Sequence, residues 1–255
     1  MNSEETKRPE EDLIAGRNAV SEALRAGRAI DRVLLARGER AGSIGPLVAQ
    51  CRERGILVKE VDARKLDALC GPHHQGIVAV AACKEYATLE DLFARAEQKQ
   101  EPPFFIVCDE LEDPHNLGAI VRTAEAAGAH GVIIPKRRSA GLTSAVYKAS
   151  AGAVEYLPVA RVSNVTETLR ELKKRGVWVY GLDMDGEPWC AANLKGAVAL
   201  VVGSEGNGIG RLVREQCDFV LSLPMLGQVN SLNASVACGI LLYETARQRQ
   251  GIRAK

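Results

Sequence analysis

The stretch VALVVGSEGNGIGRL, residues 198–212, is the part of the sequence that is most informative about the fold. It begins as a short, branched and uncharged run, which is typical of a buried parallel strand. It then enters a loop with glycine at positions 203, 206, 208 and 210. Glycine permits positive φ angles and close approach of the backbone to a ligand. The stretch therefore predicts a strand that leads into a small-molecule site.

The two familiar nucleotide-binding patterns do not fit this loop. The spacing from Gly203 to Gly208 matches a P-loop, but Ile209 stands where the lysine is required. Gly206 and Gly208 are followed by Arg211, which breaks the dinucleotide fingerprint. The ligand is therefore expected to be neither ATP nor NAD.

Composition indicates an ordinary globular protein. The chain has 255 residues, of which 46% are hydrophobic and 25% charged, enough for one large or two smaller domains. No apolar run approaches the ~20 residues of a membrane span, and the polar N-terminus is unlike a signal peptide. We expect a cytoplasmic protein with no membrane partner.

The seven scattered cysteines favour reduced core thiols. The four histidines lack ligand-like companions, so no metal site is expected.

The overall charge of +1 conceals an uneven distribution. Residues 13–84 carry 12 Lys and Arg against 7 Asp and Glu, a local balance of +5. A basic region beside a nearly neutral one suits a chain in which one part binds a polyanion and the other part catalyses a reaction. Arginines on solvated helix faces are common, so charge alone does not decide this.

Alternating patterns divide the chain. Residues 1–12 are acidic and predicted to be disordered, residues 13–84 form a small α/β unit, and the polar residues 85–101 form a linker. Residues 102–255 contain six apolar strand candidates separated by helical patterns: FFIVCDE, GVIIP, VEYLPVA, VWVYGLD, AVALVVG and DFVLSLP. The fold class is therefore α/β, with a mostly parallel sheet covered by helices.

A second informative segment, DELEDPHNLGAIVRTAEAAG, passes from a strand into a helix near Asn116. Asn116 could simply cap that helix. Arg122 lies among small apolar residues with only Glu125 nearby to pair with, so it either points at an anion or forms a structural salt bridge. In the glycine loop, Glu205 could approach a ligand, or could be an ordinary solvated turn residue.

A third segment, LPMLGQVNSLNASVACGILLYE, breaks a strand at Pro224 and leads into a long apolar helix. Ser231 or Asn233 can cap that helix, whose N-terminal amides could receive a carboxylate or phosphate. A helix this apolar is expected in the core or at a subunit interface.

Together, NLGAIVRTAEAAG, VVGSEGNGIGRL and the third segment resemble the three ordered motifs of the SpoU/TrmH (SPOUT) family of RNA ribose 2′-O-methyltransferases. LIAGRNAVSEALRAGRAIDRVLL and HHQGIVAV resemble the substrate-binding domain of its bacterial 23S rRNA (guanosine-2′-O-) branch. The resemblance implies S-adenosylmethionine as cofactor, a homodimer formed through the C-terminal domain, and a C-terminal trefoil knot. It also implies that residues 13–84 form an RNA-binding domain of the ribosomal protein L30e type and residues 102–255 the catalytic domain.

The resemblance also assigns residues. Cofactor contacts fall on Gly203, Leu223, Met225 and Leu232, mostly through backbone groups. Residues associated with substrate and catalysis fall on Asn116, Arg122, Glu205, Ser231 and Asn233. Gln228 and Asn230 are bulkier than the small residues expected around the third motif.

The implied chemistry suits these residue types. Transfer of a methyl group to a ribose 2′-OH needs alignment, loss of the hydroxyl proton and stabilisation of charge on oxygen, and the 2′-OH makes the substrate RNA rather than DNA. A guanidinium rarely gives up its proton, so Arg122 is expected to act electrostatically, while a substrate phosphate or Glu205 accepts the proton. Alternatives are a non-catalytic RNA-binding protein with this fold, or an enzyme acting on tRNA.

Overall fold

The computed structural model describes residues 13–39, 44–82, 84–204 and 206–252. The predicted disorder of residues 1–12 and the predicted role of Glu205 concern positions outside these ranges. The chain forms two compact units: the first runs up to Glu85 and includes Gly141–Ala145, and the second comprises Tyr86–Ala140 and the residues from Val146 onward. Within the described ranges no helix combines the length and apolarity needed to cross a bilayer.

The first unit is a four-stranded sheet with helices on both faces. Its elements are β1 (Leu13–Ala15), α1 (Arg17–Arg25), β2 (Ile30–Ala36), α2 (Ile44–Glu53), β3 (Leu57–Val61), α3 (Ala63–Cys70) and β4 (Ile77–Ala81). The strand order is β1-β4-β2-β3, in which only β2 and β3 run parallel. Alternate residues of β2 pack against α1 and α2 on one face and against α3 on the other, so the sheet is buried on both sides.

The second unit carries a six-stranded parallel sheet. Its elements are α4 (Leu89–Gln98), β5 (Phe104–Cys108), α5 (Pro114–Ala126), β6 (Gly131–Pro135), α6 (Ser144–Ala149), β7 (Val159–Val162), α7 (Val165–Lys174), β8 (Trp178–Pro188), β9 (Val198–Val202), α8 (Arg211–Arg214), β10 (Phe219–Ser222) and α9 (Ala234–Arg249). The strand order is β10-β8-β9-β5-β6-β7, and every adjacent pair is parallel. The predicted α/β fold with a mostly parallel sheet is confirmed.

Two predicted segment boundaries need correction. The segment 85–101 is not a free linker, because its helix α4 is capped by Thr88 and buries Leu92 in the core of the second unit. Phe93 meets Phe105 of β5 edge-on, at 5.0 Å between ring centroids. The strand predicted from VEYLPVA is shifted: Ala153–Glu155 form a turn of 3₁₀ helix, and β7 begins only after Pro158.

Candidate functional site

A cavity of about 360 Å³ lies beyond the carboxyl ends of β9 and β10. The end of β9 and the glycine loop form one wall, the loop after β10 and the start of α9 form another, and Leu182–Met184 of β8 form a third. Crevices at the carboxyl ends of parallel strands are the usual ligand sites of open α/β sheets. The volume of this cavity falls in the range of small-molecule pockets.

The glycine loop folds back on itself at the rim of this cavity. Ser204 and Gly208 exchange backbone hydrogen bonds of 3.1 and 3.0 Å. A Cβ on Gly203 would lie 2.0 Å from the carbonyl carbon of Gly208, so any side chain there would displace the loop. Gly206 and Gly208 have φ angles of 89° and 63°, which glycine adopts without strain. The loop therefore lines the cavity largely with backbone groups.

Sequence reasoning missed two carboxylates at this site, Asp109 and Asp183. Asp109, buried at the end of β5, accepts a hydrogen bond of 2.8 Å from the backbone N–H of Gly210, and burial raises the pKa of its carboxyl. Asp183 lines the cavity and forms an ion pair with Arg214 of α8 at 2.5 Å. Asp109 directly follows the fully buried strand β5, and Asp183 lies two positions after the buried residues 179–181 of β8, which is the signal that could have found them.

An asparagine of the third segment, Asn233, contacts Asn116 of the second segment. Asn233 caps α9, since its Oδ1 accepts hydrogen bonds from the N–H groups of Ser235 and Val236 at 2.9 and 3.3 Å. Its Nδ2 donates to Oδ1 of Asn116 at 2.9 Å. Asn116 is buried and does not cap α5, because that helix begins at Pro114 with Asp113 as its N-cap. The two asparagines therefore tie the start of α9 to the first turn of α5.

The remaining predicted substrate residues are placed differently. Arg122 is exposed on α5 and forms no hydrogen bond or ion pair with any described residue, so a structural salt bridge to Glu125 is not observed. Arg122 does not line the cavity. Ser231 lines it, as do all four residues assigned to the cofactor: Gly203, Leu223, Met225 and Leu232. Glu205 lies outside the described residues, and these role assignments stay predictions.

The described parts of the chain give little support for a metal site or for a cysteine nucleophile. They contain no cluster of three or more His, Cys, Asp or Glu side chains that could hold a metal ion. Their six cysteines are free thiols. Burial raises the pKa of the Cys108 thiol to about 12, so it is a protonated core residue rather than a nucleophile.

Comparison with known families decides the class. Residues 103–243 match the model of the SpoU rRNA Methylase family. The chain belongs to this family. Residues 13–87 match a second model, described as RNA 2′-O ribose methyltransferase substrate binding. The chain is therefore an RNA methyltransferase of the SpoU family, and it matches both models in separate parts of its sequence.

Individual SpoU relatives agree over almost the whole chain. The TrmH family tRNA/rRNA methyltransferase YacO of Bacillus subtilis is 50% identical over 243 residues, covering 94% of this chain and 97% of that protein. The SpoU methyltransferase AviRb of Streptomyces viridochromogenes, solved with AdoMet, superposes with a TM-score of 0.60 at 26% identity, covering 94% and 90% of the two chains. An AdoMet-bound rRNA methyltransferase of Sinorhizobium meliloti superposes with a TM-score of 0.58 at 26% identity, covering 95% of this chain and 88% of that chain. S-adenosylmethionine is thereby confirmed as the cofactor of the family.

Proposed function

We propose that this SpoU protein transfers a methyl group from S-adenosylmethionine to the ribose 2′-OH of a guanosine in 23S rRNA, acting as a homodimer. The observation that carries the proposal is the cavity beside the glycine loop, in a chain that matches the SpoU rRNA Methylase family. Glycines, apolar side chains and polar residues such as Ser231 line this cavity. The S. meliloti enzyme, named for rRNA, matches nearly the full length, including the substrate-binding unit. Action on rRNA also implies a cytoplasmic location.

The residues around the cavity fit this cofactor. The contact between Gly203 and Gly208 leaves no space for a side chain, so the loop offers N–H and C=O groups to a polar ligand. Leu223, Met225 and Leu232 supply an apolar wall suited to an adenine ring. When bound, the cofactor supplies a methyl group on a positively charged sulfur.

The protein side chains then have to prepare the ribose hydroxyl. Arg122 is an exposed cation with no described partner, so its guanidinium is available to orient a substrate phosphate and to stabilise charge on the 2′-oxygen. A guanidinium is a poor base, and the proton acceptor is either that phosphate or Glu205. The pair Asn116–Asn233 holds α5 and α9 in register, which fixes the direction from which Arg122 acts.

The dimer is supported by exposed apolar residues along one continuous segment. The loop before α9 and the outer face of α9 expose Met225, Leu226, Val229, Leu232, Val236 and Tyr243. Patches of this kind on a protein surface mark interaction sites. α9 packs on α5, and Gly239 lies against Thr123.

The direct test of cofactor binding uses two glycines. Gly203→Ala is expected to lose S-adenosylmethionine binding in calorimetry, because its Cβ collides with the Gly208 backbone. Gly196→Ala is the matched control, since nothing lies within 4 Å of its Cβ position. Wild-type protein should be stabilised against heat by S-adenosylmethionine but not by NAD or ATP. Stabilisation by a nucleotide alone, or equal affinity in both variants, would contradict the proposal.

A further inference from the structure

The register between β8 and β10 is interrupted beside the cavity. Gly181 of β8 pairs with Val220 of β10, but the next residue of β10, Leu221, pairs with Glu187. Residues 182–186 of β8 are therefore inserted between two consecutive positions of this ladder. We call them the β8 bulge. Bulges re-aim side chains and are frequent next to active sites.

The first part of the β8 bulge forms one wall of the cavity. Leu182, Asp183 and Met184 all line it. Asp183 also packs against the glycine loop, because its Oδ1 lies 3.3 Å from the position of a Cβ on Gly208. Met184 is 66% exposed, so a flexible apolar side chain stands open at this wall. The position of the bulge therefore sets the width of the cavity and the place at which Met184 meets a ligand.

Arg214 connects the β8 bulge to the segment that follows the glycine loop. It is the last residue of α8, which begins directly after Gly210. Its Nη1 lies 2.5 Å from Oδ2 of Asp183 and 2.8 Å from Oδ1 of Asp185. The side chains of Arg214 and Asp183 are 31% and 17% exposed, so solvent screens this pair less than a fully exposed ion pair. The guanidinium therefore bridges the bulge and the segment that leads out of the glycine loop.

The opposite end of the β8 bulge is fixed by other contacts. Gly186 passes so close to β10 that a Cβ there would lie 2.4 Å from the carbonyl oxygen of Val220. Its own carbonyl accepts a hydrogen bond of 2.8 Å from the hydroxyl of Ser222. At the cavity end, the Asp183 carboxylate accepts from the N–H of Met184 at 2.8 Å, a contact within the bulge itself. The contacts of Arg214 are therefore the ones that tie the cavity end to α8.

We propose that Arg214 is a positioning residue for the methyl donor: it holds the β8 bulge where Met184 contacts S-adenosylmethionine. Arg214 is not part of the cavity wall, so it acts through Asp183 and Asp185. Without the guanidinium, two carboxylates that now share one cation would repel each other at the edge of the cavity. The bulge would then move away from the glycine loop. The inference rests on the proposed function, because it takes S-adenosylmethionine as the ligand of the cavity.

The first test measures the cofactor affinity of the full chain by calorimetry. Arg214→Gln keeps the apolar stem of the side chain but removes its charge, and it should bind S-adenosylmethionine about three- to tenfold more weakly. Arg214→Lys should recover part of this loss, because an ammonium can still lie between the two carboxylates. Arg211→Gln is the matched control: Arg211, on the same helix, pairs with Glu215 at 2.8 Å, and its loss should leave cofactor affinity unchanged.

The second test reports the position of the bulge directly. The chain contains three methionines, and two of them, Met184 and Met225, line the cavity. A carbon-13 label on the methionine methyl groups therefore gives a simple spectrum, in which Met184→Leu assigns the Met184 resonance. Unlabelled S-adenosylmethionine should move both resonances in the wild type. In Arg214→Gln the Met184 resonance should be displaced already without cofactor, while the Met225 resonance stays in place. A role in the stability of α8 alone would lower the free energy of unfolding without this selective displacement.

Asp185→Asn provides a second variant, because a side chain that is 75% exposed can be changed without loss of the fold. It should displace the Met184 resonance in the same direction as Arg214→Gln, but by less. Equal cofactor affinity in the wild type and Arg214→Gln, or an unchanged Met184 resonance in both variants, overturns the inference alone.

The wild type separates this inference from the proposed function. If S-adenosylmethionine moves neither the Met184 nor the Met225 resonance of the wild type, the cofactor cavity is rejected and the inference with it. If the wild type binds the cofactor and Arg214→Gln binds it more weakly with a displaced Met184 resonance, the inference stands. Absence of methyl transfer to any RNA by that same wild-type protein would then reject the proposed function alone.

Discussion

Arg122 is an exposed cation without a described partner, on a helix that is otherwise small and apolar. Arg122→Ala should therefore leave folding and S-adenosylmethionine affinity unchanged while lowering methyl transfer by ~100-fold or more. Arg122→Lys should also be poor, because an ammonium cannot reproduce the planar guanidinium fork. Single-turnover methyl transfer with calorimetry of cofactor binding checks both. Near-normal turnover in a folded Arg122→Ala protein would give this residue no catalytic role.

His130 couples stability to pH. It is fully buried, its Nδ1 accepts from the N–H of Phe104 at 3.0 Å, and its Nε2 lies 3.1 Å from Glu101. Burial, with Lys99 nearby, lowers the pKa of His130 to about 4. Between that value and the ordinary pKa of about 6.5, the unfolded chain binds more protons, so stability falls as the pH is lowered.

The free energy of unfolding in urea should therefore depend on His130. Between pH 6.5 and 4.5 the wild type should lose up to about 1.4 kcal/mol per pH unit more than His130→Gln, which keeps polar groups but does not titrate. His115→Gln, at an exposed position of α5, should behave like the wild type. Identical pH slopes in the wild type and His130→Gln would show that the buried imidazole is not the titrating group.

The helix α9 combines a buried and an exposed apolar face. Leu241 and Leu242 are fully buried within the protomer, while Val236 and Tyr243 are exposed. Introducing Asp at Leu241 would therefore disrupt the core rather than report on a dimer. Tyr243→Asp should convert a dimer to a monomer that stays folded, as measured by sizing with light scattering. Leu212→Asp, an equally exposed apolar position on α8, should not. A wild-type protein of monomer mass would contradict the proposed homodimer.

Local patterns predicted most of the elements. The strand–glycine loop at 198–212 and the parallel sheet follow from runs of apolar residues and glycine, which are properties of neighbouring positions. The contacts of Asn116 with Asn233 and of Asp109 with Gly210 join residues more than 100 positions apart. Such contacts depend on the path of the whole chain, so no local pattern could predict them.

The boundaries of α4 and β7 were predicted wrongly because they too depend on more than the local pattern of apolar residues. The segment containing α4 is polar on one face, and its sequence does not show that Leu92 and Phe93 pack onto the sheet. Pro158 delays β7 beyond the apolar run that suggested it. The trefoil knot implied by the family resemblance stays a prediction.

The two units are expected to divide the work. A fragment of residues 86–255 retains α4 and every cavity-lining residue, so it should bind S-adenosylmethionine and dimerise like the full chain. The fragment lacks residues 13–84, whose charge balance is +5. It should therefore bind rRNA more weakly than the full chain, and its rRNA affinity should depend less steeply on salt. Titrations of the two proteins with cofactor and with RNA check this. Equal RNA affinity and slope would assign recognition to the second unit, for example through Lys136, Arg137 and Arg138.

The reaction itself gives the most direct test of the proposed function. Full-length protein, S-adenosylmethionine with a tritiated methyl group and unmodified 23S rRNA and tRNA transcripts should yield labelled RNA, followed by mapping of the modified nucleotide. We predict label on the ribose 2′-oxygen of one guanosine in 23S rRNA, with none in the Gly203→Ala protein. Label only on tRNA would correct the substrate. Label on a base, or none on any RNA bound by the protein, would contradict a ribose 2′-O-methyltransferase.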